Sequence, residues 1–441
     1  MRYYAALTRF PASEPMPEPT PATDSFIVRL FRTAFGLAPR RRSVARRLAR
    51  SAVGLVPLGL AVAVLGGAAS GACAQGIVPK APDIAARAYL LIDATTGTTL
   101  VEKNADEQLP PASLTKLMTG YVLASELAAG RISRDDQVAV SRNAWSQNPI
   151  FNGSSLMWIE PRKPVTIGEL EQGIVVSSGN DATVAVAEHI AGSEAAFADL
   201  MNKYAVELGL RDSYFMNSHG LPHPQHLVTA RDLATLSNAI IRDYPDHYRI
   251  YSQREYTYND ITQYNRNSLL GEDPSVDGLK TGYTREAGYG LVASAERNDM
   301  RLISVVMGTD SPRARKQETR SLLNYGFRFF DTETTVDGGE ELEKPRVWKG
   351  KVDFLSVGIV DDLVLTLPRG KGDDIEQTLQ LVDPIEAPLA VGDAVGELTL
   401  TLDGEVIVQE PVVALEPLER AGFFARLWDM ILMWIAALFR G

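Results

Sequence analysis

Two scarcities mark this 441-residue chain at once: it has one cysteine, Cys73, and none of its lysines lies in residues 1–74. The head is not uncharged, since residues 1–74 hold ten arginines against three acidic residues, leaving the rest of the chain at about −18 within a total of −11. A body so short of positive charge argues against a nucleic-acid partner, and the basic head points to export. The apolar stretch at residues 52–69 follows Arg40, Arg41, Arg42, Arg46, Arg47 and Arg50 and is interrupted by Pro57 and several glycines. It is a weak candidate for a membrane span. Charged, apolar and Ala-x-Ala segments in that order form a secretory signal, with cleavage expected after Ala74. Ser70, Gly71 and Ala72 supply no large aliphatic residue, which argues against lipid attachment at Cys73. The mature protein would then have no cysteine, so no disulfide would brace it in an oxidising compartment.

What is present divides into three parts. Residues 88–101 read as a hairpin, helical patterns run from Ser113 to about Ile241, and residues 291–308 alternate as two strands before a helix near 317–325. Thr166 to Glu169 reads as a capping box, and Ser193 and Thr229 as helix starts. Strands at both ends with helices between them suggest one α+β domain over residues 80–333, its sheet joining early and late strands. Residues 334–417 are short alternating runs broken by Gly, Pro and the Asp403-Gly404 turn, an all-β domain. Residues 420–441 form an amphipathic helix. Its large side chains, including Phe423, Phe424, Leu427, Trp428, Ile431, Leu432, Trp434 and Ile435, gather on one side, and Arg426, Asp429 and Arg440 on the other. From Phe423 to Arg440 it is about 27 Å long, slightly short of a bilayer core, and fits a helix lying in the membrane interface. The competing reading is a last helix packed on the protein's own core.

Three short motifs carry the chemistry. Ser113-Leu114-Thr115-Lys116 opens a helix with the buried stripe Leu114, Leu117, Met118, Tyr121 and Val122; Ser178-Gly179-Asn180 interrupts a helical pattern; Lys280-Thr281-Gly282 opens the late strands. Each alone is a common string, and an isolated Ser and Lys three apart would be two solvated side chains. Their order and settings make the set specific. With "NSHGL" at residues 217–221, "VDGLKTG", "GFRFF" at 326–330, the β-rich domain and the terminal helix, the sequence resembles the penicillin-recognising serine enzymes. Within them it is similar to the low-molecular-mass D-alanyl-D-alanine carboxypeptidases of the type-5 penicillin-binding protein group. The resemblance implies the penicillin-binding protein/serine β-lactamase-like transpeptidase fold, an antiparallel sheet flanked by helices. It implies peptidoglycan stem pentapeptides as substrate, β-lactams as acylating ligands, and no metal or cofactor.

A serine hydroxyl needs a base, and Lys116 can serve only when neutral. Desolvation, the helix N-terminus and a second cation, Lys280, would each lower its pKa. Ser178 would relay a proton between Lys116 and the leaving amine, and Asn180 would orient Lys116 and hold the substrate amide. Lys280 and Thr281 would bind the terminal carboxylate, and Gly282 would let the substrate backbone approach. The resemblance adds an oxyanion hole from the backbone N–H groups of Ser113 and Tyr283, and Arg315 as a second carboxylate ligand.

His219, His223 and His226 could suggest zinc, but Pro222 and Pro224 prevent a helix there and the loop reading is preferred. A serine β-lactamase would need a deacylating Glu four residues before an Asn; Glu255 and Asn259 show the spacing inside a strand-like run and read as structural. An endopeptidase of the same superfamily and a silent envelope scaffold are the remaining alternatives. The expected location is the periplasmic face of the cytoplasmic membrane.

Overall fold

All six residues of strand β1, Ala88–Asp93, are buried, although its neighbours along the chain are not. The reason is a helical layer on each side. Leu90 and Ile92 join one core with Leu117 and Met118, whereas Tyr89 and Leu91 join another with Leu322 and Leu323, because successive strand side chains point to opposite faces. In this computed structural model, which describes residues 78–439, β1 pairs with β2, Thr99–Lys103, as the hairpin reading expects. The late strands are β3, Val276–Thr284, β4, Gly288–Arg297, and β5, Met300–Thr309. They complete an antiparallel sheet in the order β2-β1-β5-β4-β3, with Leu90 opposite Val305 and Lys280 opposite Val292. Early and late chain thus meet in one sheet, and β3 with its Lys-Thr-Gly motif is its edge. The export signal read over residues 1–74 lies outside the described residues.

Between β2 and β3 come helices α1, Lys116–Ala128, α2, Ile167–Gln172, α3, Asn180–Ala191, α4, Glu194–Glu207, and α5, Ala230–Asp243. The local start signals operate as read: Thr166 and Glu169 form a reciprocal capping box, and Ser193 and Thr229 accept N-cap bonds from Ala196 and Asp232. The helix expected near 317–325 is longer. As α6 it spans Pro312–Phe329, capped by Ser311 with Pro312 in the first turn. Its buried stripe includes Arg315 and Thr319 as well as Leu322 and Leu323. Polar residues in the stripe hid its first half.

The second domain has its own core of Val336, Leu355, Val357, Val395, Leu398, Leu400 and Val412. The boundary read at 333/334 falls inside a strand, Phe330–Val336, which pairs with Leu363–Pro368. Its framework therefore begins directly after α6. Buried Asp93 of β1 ties the domains together, its Oδ2 accepting from the Thr366 hydroxyl at 2.9 Å and from Thr332.

Helix α7, Phe423–Phe439, closes the described chain. Arg426 and Asp429 do not form the wet face expected of them. With Leu432 and Met433 they are half-buried, and Asp429 Oδ2 accepts from the Lys349 N–H at 2.6 Å. The opposite face carries the exposed rings of Phe423, Phe424, Trp428 and Trp434, with Leu427, Ile431 and Ile435. Leu432 thus belongs to the docked face, because a polar backbone group at Lys349 gives Asp429 a partner that water would otherwise supply. No helix among the described residues is long and apolar enough to cross a membrane.

Candidate active site

Ser113 sits in a 3₁₀ turn, Ala112–Thr115, and Lys116 is the first residue of α1 behind it. The tighter turn puts the two side chains on one face, with Lys116 Nζ 3.3 Å from Ser113 Oγ. Lys116 is 1% exposed. Its amine also donates to Asn180 Oδ1 at 2.6 Å and to the His219 carbonyl at 2.7 Å.

The Ser-Gly-Asn motif follows a π-type turn, Gly173–Ser177, with Ser178 in the left-handed conformation at φ 58° and Asn180 opening α3. That backbone aims both side chains inward; π-turns recur at such sites. Lys280 Nζ donates to Ser178 Oγ at 2.9 Å and to the Thr281 carbonyl at 3.3 Å. Ser178 is therefore held by Lys280 and not by Lys116, the link that the relay reading expected.

Ser113, Ser178, Asn180, Thr281, Gly282, Tyr283 and Arg315 line a cavity of about 610 Å³. A larger cleft of about 880 Å³ beside it, along residues 252–271, shares Asn265 and Ser268 but is lined by no lysine or histidine. Exposed Tyr283 stacks on Tyr289 at 4.1 Å. Arg315 is buried, donates to the Gly282 and Arg266 carbonyls at 3.4 and 3.3 Å, and is pushed down to about 10 mainly by burial. Gly282 also serves an approach within the protein: a Cβ there would lie 2.9 Å from the Pro111 carbonyl. Its bareness lets β3 close on the turn that bears Ser113.

Burial is the main cause that pushes the Lys116 ammonium down to about 7. Arg266 adds to the depression, and Asp181 and Glu194 oppose it. Arg266 is thus a cation beside Lys116 that the sequence did not signal; the Lys280 amine, turned to Ser178, is itself depressed by burial, then by Lys116, Arg266 and Arg315, so the two lysines disfavour each other's charge. The three loop histidines are committed elsewhere. His219 Nδ1 accepts from Leu221 N–H, which places its proton on Nε2 facing Glu194 at 3.2 Å; His226 bridges Met216 N–H and Thr115 Oγ1; His223 accepts from Gln225 N–H. Burial pushes His219 down to about 3 and His226 to about 4, so both rings are neutral near pH 7.

Residues 75–311 match the family model described as D-alanyl-D-alanine carboxypeptidase, and residues 330–420 match the C-terminal domain of penicillin-binding protein 5. The chain belongs to the D-alanyl-D-alanine carboxypeptidase family. It is a serine peptidase, similar to D-alanyl-D-alanine carboxypeptidase DacC of Escherichia coli, at 44% identity over 357 residues, 80% of this chain and 89% of the relative. Among solved structures, penicillin-binding protein 5 of Haemophilus influenzae aligns at 40% identity with a TM-score of 0.73, covering 78% of this chain and all of that one. An ampicillin-bound penicillin-binding protein D2 of Listeria monocytogenes aligns at 29% identity and a TM-score of 0.50, covering 56% of this chain and all of that one. Four groups around this peptidase's pocket escaped the sequence reading: Arg266, Asp181, Glu194 and the His219 carbonyl. Asp181 directly follows the second motif and His219 lies in "NSHGL", so both were within reach; Arg266 and Glu194 had no local signal.

Proposed function

We propose that Ser113 is the nucleophile with which this carboxypeptidase removes the terminal D-alanine from peptidoglycan stem pentapeptides, and that penicillins acylate the same oxygen. The observation that carries the assignment is a fully buried lysine, pushed down to about 7, with its amine 3.3 Å from that hydroxyl. In its neutral form Lys116 takes the Ser113 proton as Oγ bonds to the carbonyl carbon of the penultimate D-alanine. The carbonyl becomes an oxyanion beside the backbone N–H groups of Ser113 and Tyr283, a kind of contact worth roughly 3 to 4 kcal/mol per donor. Collapse of the tetrahedral species breaks the C–N bond, and the departing amine takes up, by way of the Ser178 hydroxyl that Lys280 orients, the proton that Lys116 had received from Ser113, which leaves Lys116 neutral again. Thr281 and Arg315 hold the carboxylate of the leaving residue. Water then attacks the ester, giving its proton to Lys116, and Ser113 is restored.

The test is release of D-alanine from a Lys-D-Ala-D-Ala peptide by the purified protein, together with labelling by a fluorescent penicillin. Ser113→Ala should abolish both while leaving the melting temperature within a few degrees. Protein that is neither labelled nor active would point to the scaffold reading, and rapid penicillin turnover to a β-lactamase.

The same reading places the protein, after export, on the outer face of the cytoplasmic membrane, held by α7. Support comes from the exposed Phe, Trp and Leu side chains along one face of a helix whose polar residues are turned to the protein. In water such a face is a costly exposure of apolar surface; at a lipid interface it is the binding element.

A further inference from the structure

Lys116 Nζ rests on two acceptors, Asn180 Oδ1 and the His219 carbonyl, from different segments of chain. A carboxylate stands behind each. Asp181, fully buried, accepts from four backbone N–H groups: Met157 at 2.8 Å and Ala182 at 2.9 Å on Oδ1, Trp158 at 2.8 Å and Ile159 at 3.1 Å on Oδ2. Four donors on one carboxyl group fit the ionised, acceptor-only form. The grip fastens residues 157–159 to the start of α3, beside a second tie from Asn180 N–H to the Ser155 carbonyl at 2.8 Å. It also accounts for Gly179, where a Cβ would lie 2.9 Å from both Asp181 Oδ1 and Met157 N. Glu194 does the same for the other acceptor. Its Oε1 accepts from Ser218 Oγ at 2.7 Å, Ser218 N–H at 3.1 Å and the His219 ring at 3.2 Å, fixing the loop whose carbonyl meets Lys116.

We infer that Asp181 and Glu194 are paired positioning residues for the Ser113 reaction: each locks one acceptor on the Lys116 amine, and their two negative charges keep that amine basic enough to take the serine proton. The inference rests on Lys116 as the base. The charged and titratable groups facing it are Arg266 and Lys280, which disfavour a second cation, Asp181 and Glu194, which favour it, and His219 and His226, which are neutral near pH 7. Without the carboxylates, burial and the cations would act unopposed, and Lys116 would become a poorer base.

The experiment measures kcat/KM for D-alanine release against pH in the full chain, with Asp181→Asn, Glu194→Gln and the double variant. Removing a negative charge lowers the pKa of Lys116, so the acid limb should move to lower pH by about half a unit or more in each single variant and further in the double. The plateau kcat should fall roughly tenfold as the acceptors loosen, with a smaller change in KM. Penicillin labelling in full stoichiometry reports that each variant is folded. Should Asp181→Asn not fold, Glu194→Gln carries the decision, since its carboxylate is partly solvent-exposed and its exchange keeps the side-chain shape. An unmoved limb with unchanged kcat in Glu194→Gln overturns the inference. Wild-type protein that releases no D-alanine would instead overturn the functional reading beneath it.

Discussion

Helices α1 and α7 have opposite relations to solvent. The first buries an ammonium group and the second exposes phenyl and indole rings, so each puts side chains where water alone would not favour them. In α1 the compensation is internal: Lys116 finds two acceptors at 2.6 and 2.7 Å, two carboxylates nearby, and a lower pKa. In α7 only the polar face is compensated, by the 2.6 Å bond from Lys349 N–H to Asp429, while the apolar face has no partner among the described residues. A buried charge fully accounted for by its own chain is a device for chemistry. An uncovered apolar face is what the proposed interfacial anchor would use.

The contrast breaks most readily at Lys116. Lys116→Met should lower kcat/KM for D-alanine release by roughly 10²- to 10⁴-fold while the melting temperature holds or rises, because removing a buried charge relieves its desolvation. Linkage gives the sign for the wild type. A folded pKa near 7 against 10.5 in the unfolded chain means that the unfolded state binds the extra proton between those values, so this group's contribution to stability rises with pH through that window. Thermal melts from pH 7 to 10 should show the rise in the wild type and a flatter profile in Lys116→Met. The acid limb of kcat/KM should lie near pH 7.

At the other helix the effect is on location. Deleting residues 423–441 should move the protein from the membrane to the soluble fraction on flotation, with kcat/KM on a soluble peptide within about twofold, since no residue of α7 lines the catalytic cavity. Persistent membrane association would mean that another segment holds it. The smallest effect is expected from Asp429→Ala, which removes one hydrogen bond and should cost about 1 kcal/mol. Faster proteolytic cleavage near residues 419–423, with activity unchanged, would register it.

The convergence of the three motifs was legible because each of their parts is local. A 3₁₀ turn brings Ser113 beside Lys116 within four residues, a left-handed Ser178 sits between two helices, and Lys280 to Gly282 lie on one strand. The capping box, the N-caps and the hairpins were legible for the same reason. The early half of α6 was not, since Arg315 and Thr319 occupy its buried stripe. Neither Arg266 nor Glu194 is near any motif in sequence, and both reach Lys116 only through folding. The amphipathic pattern of α7 was plain, but which face would be wet depended on a backbone N–H some 80 residues away, at Lys349.

By itself the sequence determined the candidate reacting groups and their order: a serine, a lysine one short turn behind it, a second serine with an asparagine, and a second lysine on a strand. Only the tertiary structure decided what surrounds these amines and adjusts them. Desolvation and Coulomb forces depend on the atoms that close around a group, and here those atoms come from Asp181, Glu194, His219 and Arg266, brought together by packing.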